Sequence, residues 1–276
     1  MHSIYHFFKH LVTNKRFFET ITNIEEFPFD ANMLSCQNAG QFPDLAIKIN
    51  TSDALFTGGE LIELKDSKSY TVSSFNSTIP SGQKDIDKVI KSANSIIKKQ
   101  MQEAGDDIYS LPTRDVFYLI RGKSKKNGKI VLVHGSFFET VKTNSLISQS
   151  FEQVLAERLK EKGLNIGDNI KDLLVDIFSE QESFSKVRNV DKASVKLRFR
   201  IMTEVKAEGN ILNSKKYPEI KDNTISLIAP RHNKKDEELA LKRFASIYSE
   251  SALKQFDIFN IKHLLNGYFT VFQQEL

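Results

Sequence analysis

The chain has 276 residues, 27% of them charged and 40% hydrophobic, with a formal net charge of +4. That length is enough for a sizeable hydrophobic core, and the composition excludes a disordered or fibrous chain. The single cysteine, Cys36, excludes an intrachain disulfide framework or a thiolate zinc site.

The first segment, MHSIYHFFKHLVTNKRFF, is too interrupted by polar residues for a signal peptide core. No run approaches the ~20 apolar residues of a membrane span, so the expected setting is the reduced cytoplasm, with no membrane partner. The mildly basic balance is compatible with a nucleic-acid partner and too weak to require one.

Residues 3–20 predict a helix with a bulky apolar face running from Ile4, Phe7, Phe8 and Leu11 to Phe18. DLAIKIN then alternates as a strand, with Leu45, Ile47 and Ile49 on one side. A turn at Gly58 and Gly59 leads into a second strand, ELIELK. In DIDKVIKSANSIIKKQM the apolar residues from Ile86 to Met101 fall on one stripe at helical spacing, predicting one long helix. DVFYLIRGKSKKNGKIVLVHG predicts a hairpin around Asn127-Gly128. Helices are expected over 145–162, 168–180 and 236–253, and strands over 195–205 and 224–229. No repeat, low-complexity tract or linker marks a boundary. The expected fold is a single α/β (α+β) domain in which a central mixed β-sheet is flanked by helices.

The strand ELIELK raises a chemical question. Side chains alternate along a strand, so Glu63 and Lys65 share a face while Ile62 and Leu64 enter the core on the other. Two charges on one face of an apolar strand are costly unless a cleft, a metal or a substrate receives them. If the two strands pair as a hairpin, Asp44 approaches Glu63. Two carboxylates and an ammonium around one point suit Mg²⁺ and a phosphodiester, because Mg²⁺ takes hard oxygen ligands and lowers the pKa of a bound water.

Pro43-Asp44, a spacer of 18 residues, then Glu63-Leu64-Lys65 in an apolar strand preceded by glycines, resembles the motif of the PD-(D/E)XK nuclease superfamily. The resemblance covers residues 40–67. It implies a restriction-endonuclease-like core, with Asp44 and Glu63 as Mg²⁺ ligands and Lys65 as the catalytic lysine. It also implies a type II restriction endonuclease that cuts a short specific site in double-stranded DNA to a 5′-phosphate and a 3′-hydroxyl. A homodimer and a companion DNA methyltransferase would accompany that activity. The catalytic core is expected over about 1–140, with the C-terminal part serving DNA recognition and dimerisation. Glu19, Glu25 and Glu26 are candidates for an extra acidic ligand, and the sequence does not choose among them. A junction-resolving or repair nuclease of the same fold and a non-catalytic DNA-binding protein are the alternative readings.

Two further Glu-x-Lys triplets compete. Glu204-Val205-Lys206 ends a strand-like run with Asp191 upstream, but lacks a Pro-Asp strand. Glu219-Ile220-Lys221 follows Tyr217-Pro218 among polar residues and reads as a loop.

DNA contacts are expected from four places. Ser74, Asn76 and Ser77 follow the motif strand, in a polar stretch able to bind phosphates or base edges. Lys196, Arg198 and Arg200 alternate with apolar residues and form a basic stripe. Lys125 and Lys126 lie in the hairpin loop, and Arg231 and Lys234 in PRHNKK, where an Arg fork matches guanine O6 and N7. GKSKKNGKI is not a nucleotide-binding loop, since its second glycine is one residue late and Ile130 stands where Ser or Thr is needed. His2, His6 and His10 at helical spacing lack the acidic or cysteine neighbours of a zinc site.

Overall fold

A computed structural model describes residues 2–13, 33–35, 42–49, 58–67, 70, 72, 80–90, 95–122, 128–139, 143–179, 187–190, 193–195 and 211–276. The chain forms two compact units. One comprises residues 1–72, 80–139 and 207–276, the other 73–79 and 140–206.

The first unit is built on a mixed nine-stranded sheet. Its strands are β1 (Met33–Ser35), β2 (Leu45–Ile47), β3 (Leu61–Asp66), β4 (Gln83–Asp85), β5 (Thr113–Arg121), β6 (Lys129–His134), β9 (Thr224–Arg231), β10 (Phe256–His263) and β11 (Gly267–Glu275). The order is β1-β2-β3-β5-β6-β9-β11-β10, and β4 pairs with the start of β5. β3 runs parallel to β5 and β6 parallel to β9, while the other pairs are antiparallel. The sheet therefore does not stop at residue 140, because three of its strands come from the last 53 residues, 224–276.

Strand alternation divides the core between the two sheet faces. On one face Leu61, Val116, Tyr118, Ile120, Val131 and Val133 pack with Ile86 and Ile90 of α2 (Ile86–Val89) and its cap, and with Ile97 and Met101 of α3 (Ile96–Glu103). On the other, Ile62, Phe117, Leu119, Leu132, Leu227 and Phe272 meet Ile4, Tyr5, Phe8 and Leu11 of α1 (His2–Thr13) and Phe244 of α6 (Lys234–Ala245). Because both faces are covered, β5 and β6 read as continuous apolar runs rather than as alternating ones. The Phe244 ring stacks on Phe272 at 4.2 Å between centroids.

Several expected elements differ from those found. The stretch 85–101 is not one helix. Lys84 and Asp85 belong to β4, α2 lasts a single turn, and α3 starts only after Ser95. Ser95 is extended, and its hydroxyl accepts the N–H of Lys98, so the side chain caps a new helix instead of continuing the old one. The expected helix over 236–253 likewise divides into α6 and the short α7 (Glu250–Leu253), capped by Ser249. The hairpin β10–β11 was not anticipated, although Asn266-Gly267 between apolar runs is a strong turn signal and Gly267 has a φ of 81°. Of the strand expected over 195–205, β8 holds only Val195, and 196–205 lie outside the described residues.

In the second unit, α4 (Thr143–Glu161) and α5 (Asp168–Ser179) pack together, and β7 (Val187–Val190) pairs antiparallel with β8 (Ala193–Val195). α4 ends on Gly163 at a φ of 62°, with the Leu164 N–H donating to the Leu159 carbonyl. No described helix is long and apolar enough to cross a membrane.

Two buried charges hold loops against the sheet. Arg114 and Asp106 are both fully buried, 3.7 Å apart, with an Arg114 N–H donating to the Ile108 carbonyl and the Ile49 N–H donating to Asp106. Burial raises the Asp106 pKa and lowers that of Arg114, so each charge depends on the other. Asp106→Ala leaves the guanidinium without this partner and is expected to lower unfolding stability by about 3–5 kcal/mol in urea denaturation. A loss under ~1 kcal/mol would show that the pair is dispensable.

Lys129 is also fully buried. Its ammonium donates to the Leu212 and Ile220 carbonyls and lies 4.5 Å from the centre of the Tyr70 ring, tying the 211–220 segment to β6. Burial pulls its pKa down to about 8. Between that value and the ~10.4 of a free lysine the unfolded chain binds more protons, so stability rises with pH across this window. Lys129→Met is expected to flatten that rise in denaturation curves taken from pH 8 to 10.

Candidate active site

The site begins with the turn between β2 and β3. Gly58 and Gly59 have φ values of 68° and 93°, and a Cβ on Gly58 would lie 2.0 Å from the Lys48 carbonyl oxygen. Only glycine lets the returning chain pass so close. The Gly59 N–H then donates to the Ile47 carbonyl and the Ile47 N–H to the Glu60 carbonyl, both at 2.8 Å. These bonds set a register in which Leu45 faces Ile62 and Ala46 faces Leu61.

One step further along that register Asp44 meets Glu63. The Leu64 N–H donates to an Asp44 carboxylate oxygen at 2.7 Å. The ammonium of Lys65 donates to Glu63 Oε1 at 2.7 Å. The three residues of the sequence motif therefore converge. The side chain of Glu63 is 6% exposed and that of Lys65 32%, so the cluster runs from the interior to the surface along one strand.

The face that carries Glu63 and Lys65 is not an open surface. Leu61 and Tyr118 lie on it, Tyr118 is directly opposite Glu63 in the β3–β5 register, and α2 and α3 cover it. Burial raises the pKa of Asp44 above the usual carboxylate range. It does the same to Glu63, with repulsion by Asp44 second, and Lys65 pulls both back. Glu63 Oε2 and the Tyr118 hydroxyl are buried with no hydrogen-bond partner among the described residues. Burial and the charge of Glu63 push the Tyr118 phenol upward. A carboxylate pair held this way stores unfavourable charge that a cation would relieve.

The donor set fits a hard divalent cation. Mg²⁺ takes one or two carboxylates and completes its shell with water and phosphate oxygens, and the unpartnered Glu63 Oε2 beside Asp44 is such a donor. No group of three or more His, Cys, Asp or Glu side chains placed to hold a metal ion occurs among the described residues.

Sequence reasoning missed one charged neighbour, Lys84. In β4 it points inward between the exposed Gln83 and Asp85, and its ammonium lies 4.5 Å from the centre of the Phe42 ring. Burial lowers the pKa of Lys84, and the charge of Glu63 raises it part of the way back. A strand of three residues is too short to show a period, and its last residue, Asp85, was absorbed into the expected helix.

The expected DNA-contacting residues fall elsewhere. Arg231 ends β9, three strands from β3, where its guanidinium pairs with Glu237 at 2.7 Å and lies 5.8 Å from the centre of the Tyr268 ring. Lys234 is the exposed first residue of α6. Ser74, Asn76, Ser77, Lys125, Lys126, Lys196, Arg198 and Arg200 lie outside the described residues, as do Glu19, Glu25, Glu26 and the competing Glu204 and Lys206. Lys221 of the other competitor sits outside any strand and pairs with Asp257 at 3.0 Å.

No protein-family model, curated protein or solved structure matches the chain.

The crowding of the two carboxylates has a measurable consequence. Asp44→Asn removes one of two neighbouring half-buried charges and can still accept the Leu64 N–H. In metal-free buffer at neutral pH it is expected to raise the thermal midpoint by about 2–4 °C, the shift that ~1 kcal/mol produces in a chain of this size. A lowered midpoint would mean that the Asp44 charge supports the fold instead of burdening it.

Proposed function

We propose that this chain is a Mg²⁺-dependent endonuclease of the PD-(D/E)XK type, acting on double-stranded DNA as a type II restriction enzyme. What supports the reading is one observation. Asp44, just before β2, and Glu63 of β3 bring their carboxylates together with the ammonium of Lys65 at the solvent end of the cluster. The mixed sheet covered by helices on both faces agrees with the restriction-endonuclease-like core that the motif implies.

Asp44 and Glu63 would hold the metal, with Glu63 contributing its unpartnered Oε2. The chemistry a Mg²⁺ held by Asp44 and Glu63 would supply is a bound water of lowered pKa and positive charge to offset that of the phosphate. Lys65 has a separate task. Its ammonium stands at the Glu63 carboxylate and reaches solvent, so it can orient the attacking water and stabilise charge that builds on the phosphate oxygens. Tyr118 and the apolar cover keep bulk water from the inner side of the carboxylates, which strengthens each of these interactions. In-line attack by water breaks the P–O3′ bond and leaves a 5′-phosphate and a 3′-hydroxyl.

A palindromic target calls for a twofold homodimer with one site per strand, and host DNA then needs a companion methyltransferase.

Incubation of the protein with plasmid and Mg²⁺ tests the reading. Discrete fragments support restriction, a smear supports a nonspecific or repair nuclease, and intact plasmid rejects catalysis. Lys65→Ala is expected to lower the cleavage rate by about 10²–10³-fold while leaving duplex binding in Ca²⁺ intact. Cleavage at the wild-type rate would remove Lys65 from the mechanism.

A further inference from the structure

Lys84 has no place in the motif, yet its position is unusual for a lysine. β4 exposes Gln83 and Asp85 and turns Lys84 inward, toward Phe42 of the segment that leads through Pro43 to Asp44. An inward-facing ammonium is costly unless something receives it. The Phe42 ring lies 4.5 Å from Nζ to its centre, and the charge of Glu63 offsets part of the burial of the ammonium. Lys65 approaches the same carboxylate from β3 itself. The formal charges of two carboxylates and two ammonium groups sum to zero, although burial still disfavours the charged form of each carboxylate.

That balance changes when a divalent ion enters. The ion brings two positive charges into a set that is already neutral, and the surplus matches one phosphodiester and one hydroxide. A lysine that was neutralising a carboxylate is then available to an anionic oxygen of the substrate.

We propose that Lys84 is a second cation of the Asp44–Glu63 site, occupying the carboxylates while they hold no metal and turning to the DNA phosphate when they do. This rests on the nuclease reading above. Lys84 and a divalent ion compete for the same negative charge, so Lys84 weakens metal binding in the free protein and strengthens substrate binding in the loaded one. A lysine with a merely structural role would do neither.

The opposed signs make the test. Mn²⁺ binding to the full chain is measured by calorimetry without DNA, and duplex binding by fluorescence anisotropy in Ca²⁺. Wild type is compared with Lys84→Gln, Lys84→Arg and Glu63→Gln, and thermal melts establish that each variant is folded. Lys84→Gln is expected to bind Mn²⁺ more tightly, on the order of tenfold, because a like charge has been removed, and to bind duplex DNA several-fold more weakly. Lys84→Arg, which keeps the charge, should restore both values toward wild type even if the glutamine variant melts early. Unchanged or weaker Mn²⁺ binding by Lys84→Gln, together with loss of binding in Glu63→Gln, overturns the role of Lys84 alone. No Mn²⁺ binding by wild type, or binding that survives Glu63→Gln, overturns the metal-dependent nuclease reading and this proposal with it.

Discussion

The candidate site depends on one backbone constraint: the β2–β3 register fixed at Gly58–Gly59. The glycine pair lets the chain return against the Lys48 carbonyl, and two hydrogen bonds lock Ile47 to Gly59 and Glu60. A slip of one residue would send Glu63 and Lys65 to the face covered by α1 and α6, and Ile62 and Leu64 to the other. Correct register places Asp44 beside Glu63, and the Leu64 N–H then fixes the Asp44 carboxylate at 2.7 Å. The chemistry of the cluster follows from a turn that carries no functional group.

The sheet around this turn is built to make charge expensive. Each face has its own apolar layer, and the strands between them are apolar on both sides. Where ionised groups enter such a medium they are paired, as with Arg114 and Asp106, or held by carbonyls and a ring, as with Lys129. The Asp44–Glu63 pair differs, because two like charges stand together. Two crowded carboxylates whose pKa values are both raised are a frequent condition of groups that receive a ligand.

The covering of the Glu63 face also changes how the motif is understood. Alternation along ELIELK leaves Glu63 and Lys65 opposite the apolar side chains, as on a surface strand. In the folded chain Tyr118 and the helices α2 and α3 close over the inner part of that face, and Lys65 is more exposed than Glu63. Lys84 enters from β4, which belongs to the stretch whose periodicity suggested a helix. The helical period was real from Ile86 onward, but Ser95 could supply a capping hydroxyl, and local capping prevailed over continuation.

By itself, the sequence determined the local geometry. Alternation put Glu63 and Lys65 on one side, Gly58-Gly59 marked the turn, the β5–β6 hairpin followed from its apolar runs and Asn-Gly loop, and α1, α4 and α5 were visible in their spacing. These features arise between residues close in the chain, where a period of 2 or 3.6 or a single turn residue suffices. Only the tertiary structure decided which distant groups share a place. It ran β10 and β11 along the far side of β9, engaged Arg231 with Glu237, set Tyr118 opposite Glu63 and laid Lys84 against Phe42. The physical reason is that burial and charge coupling depend on packing between segments far apart in the chain, and no local period encodes which of them will meet.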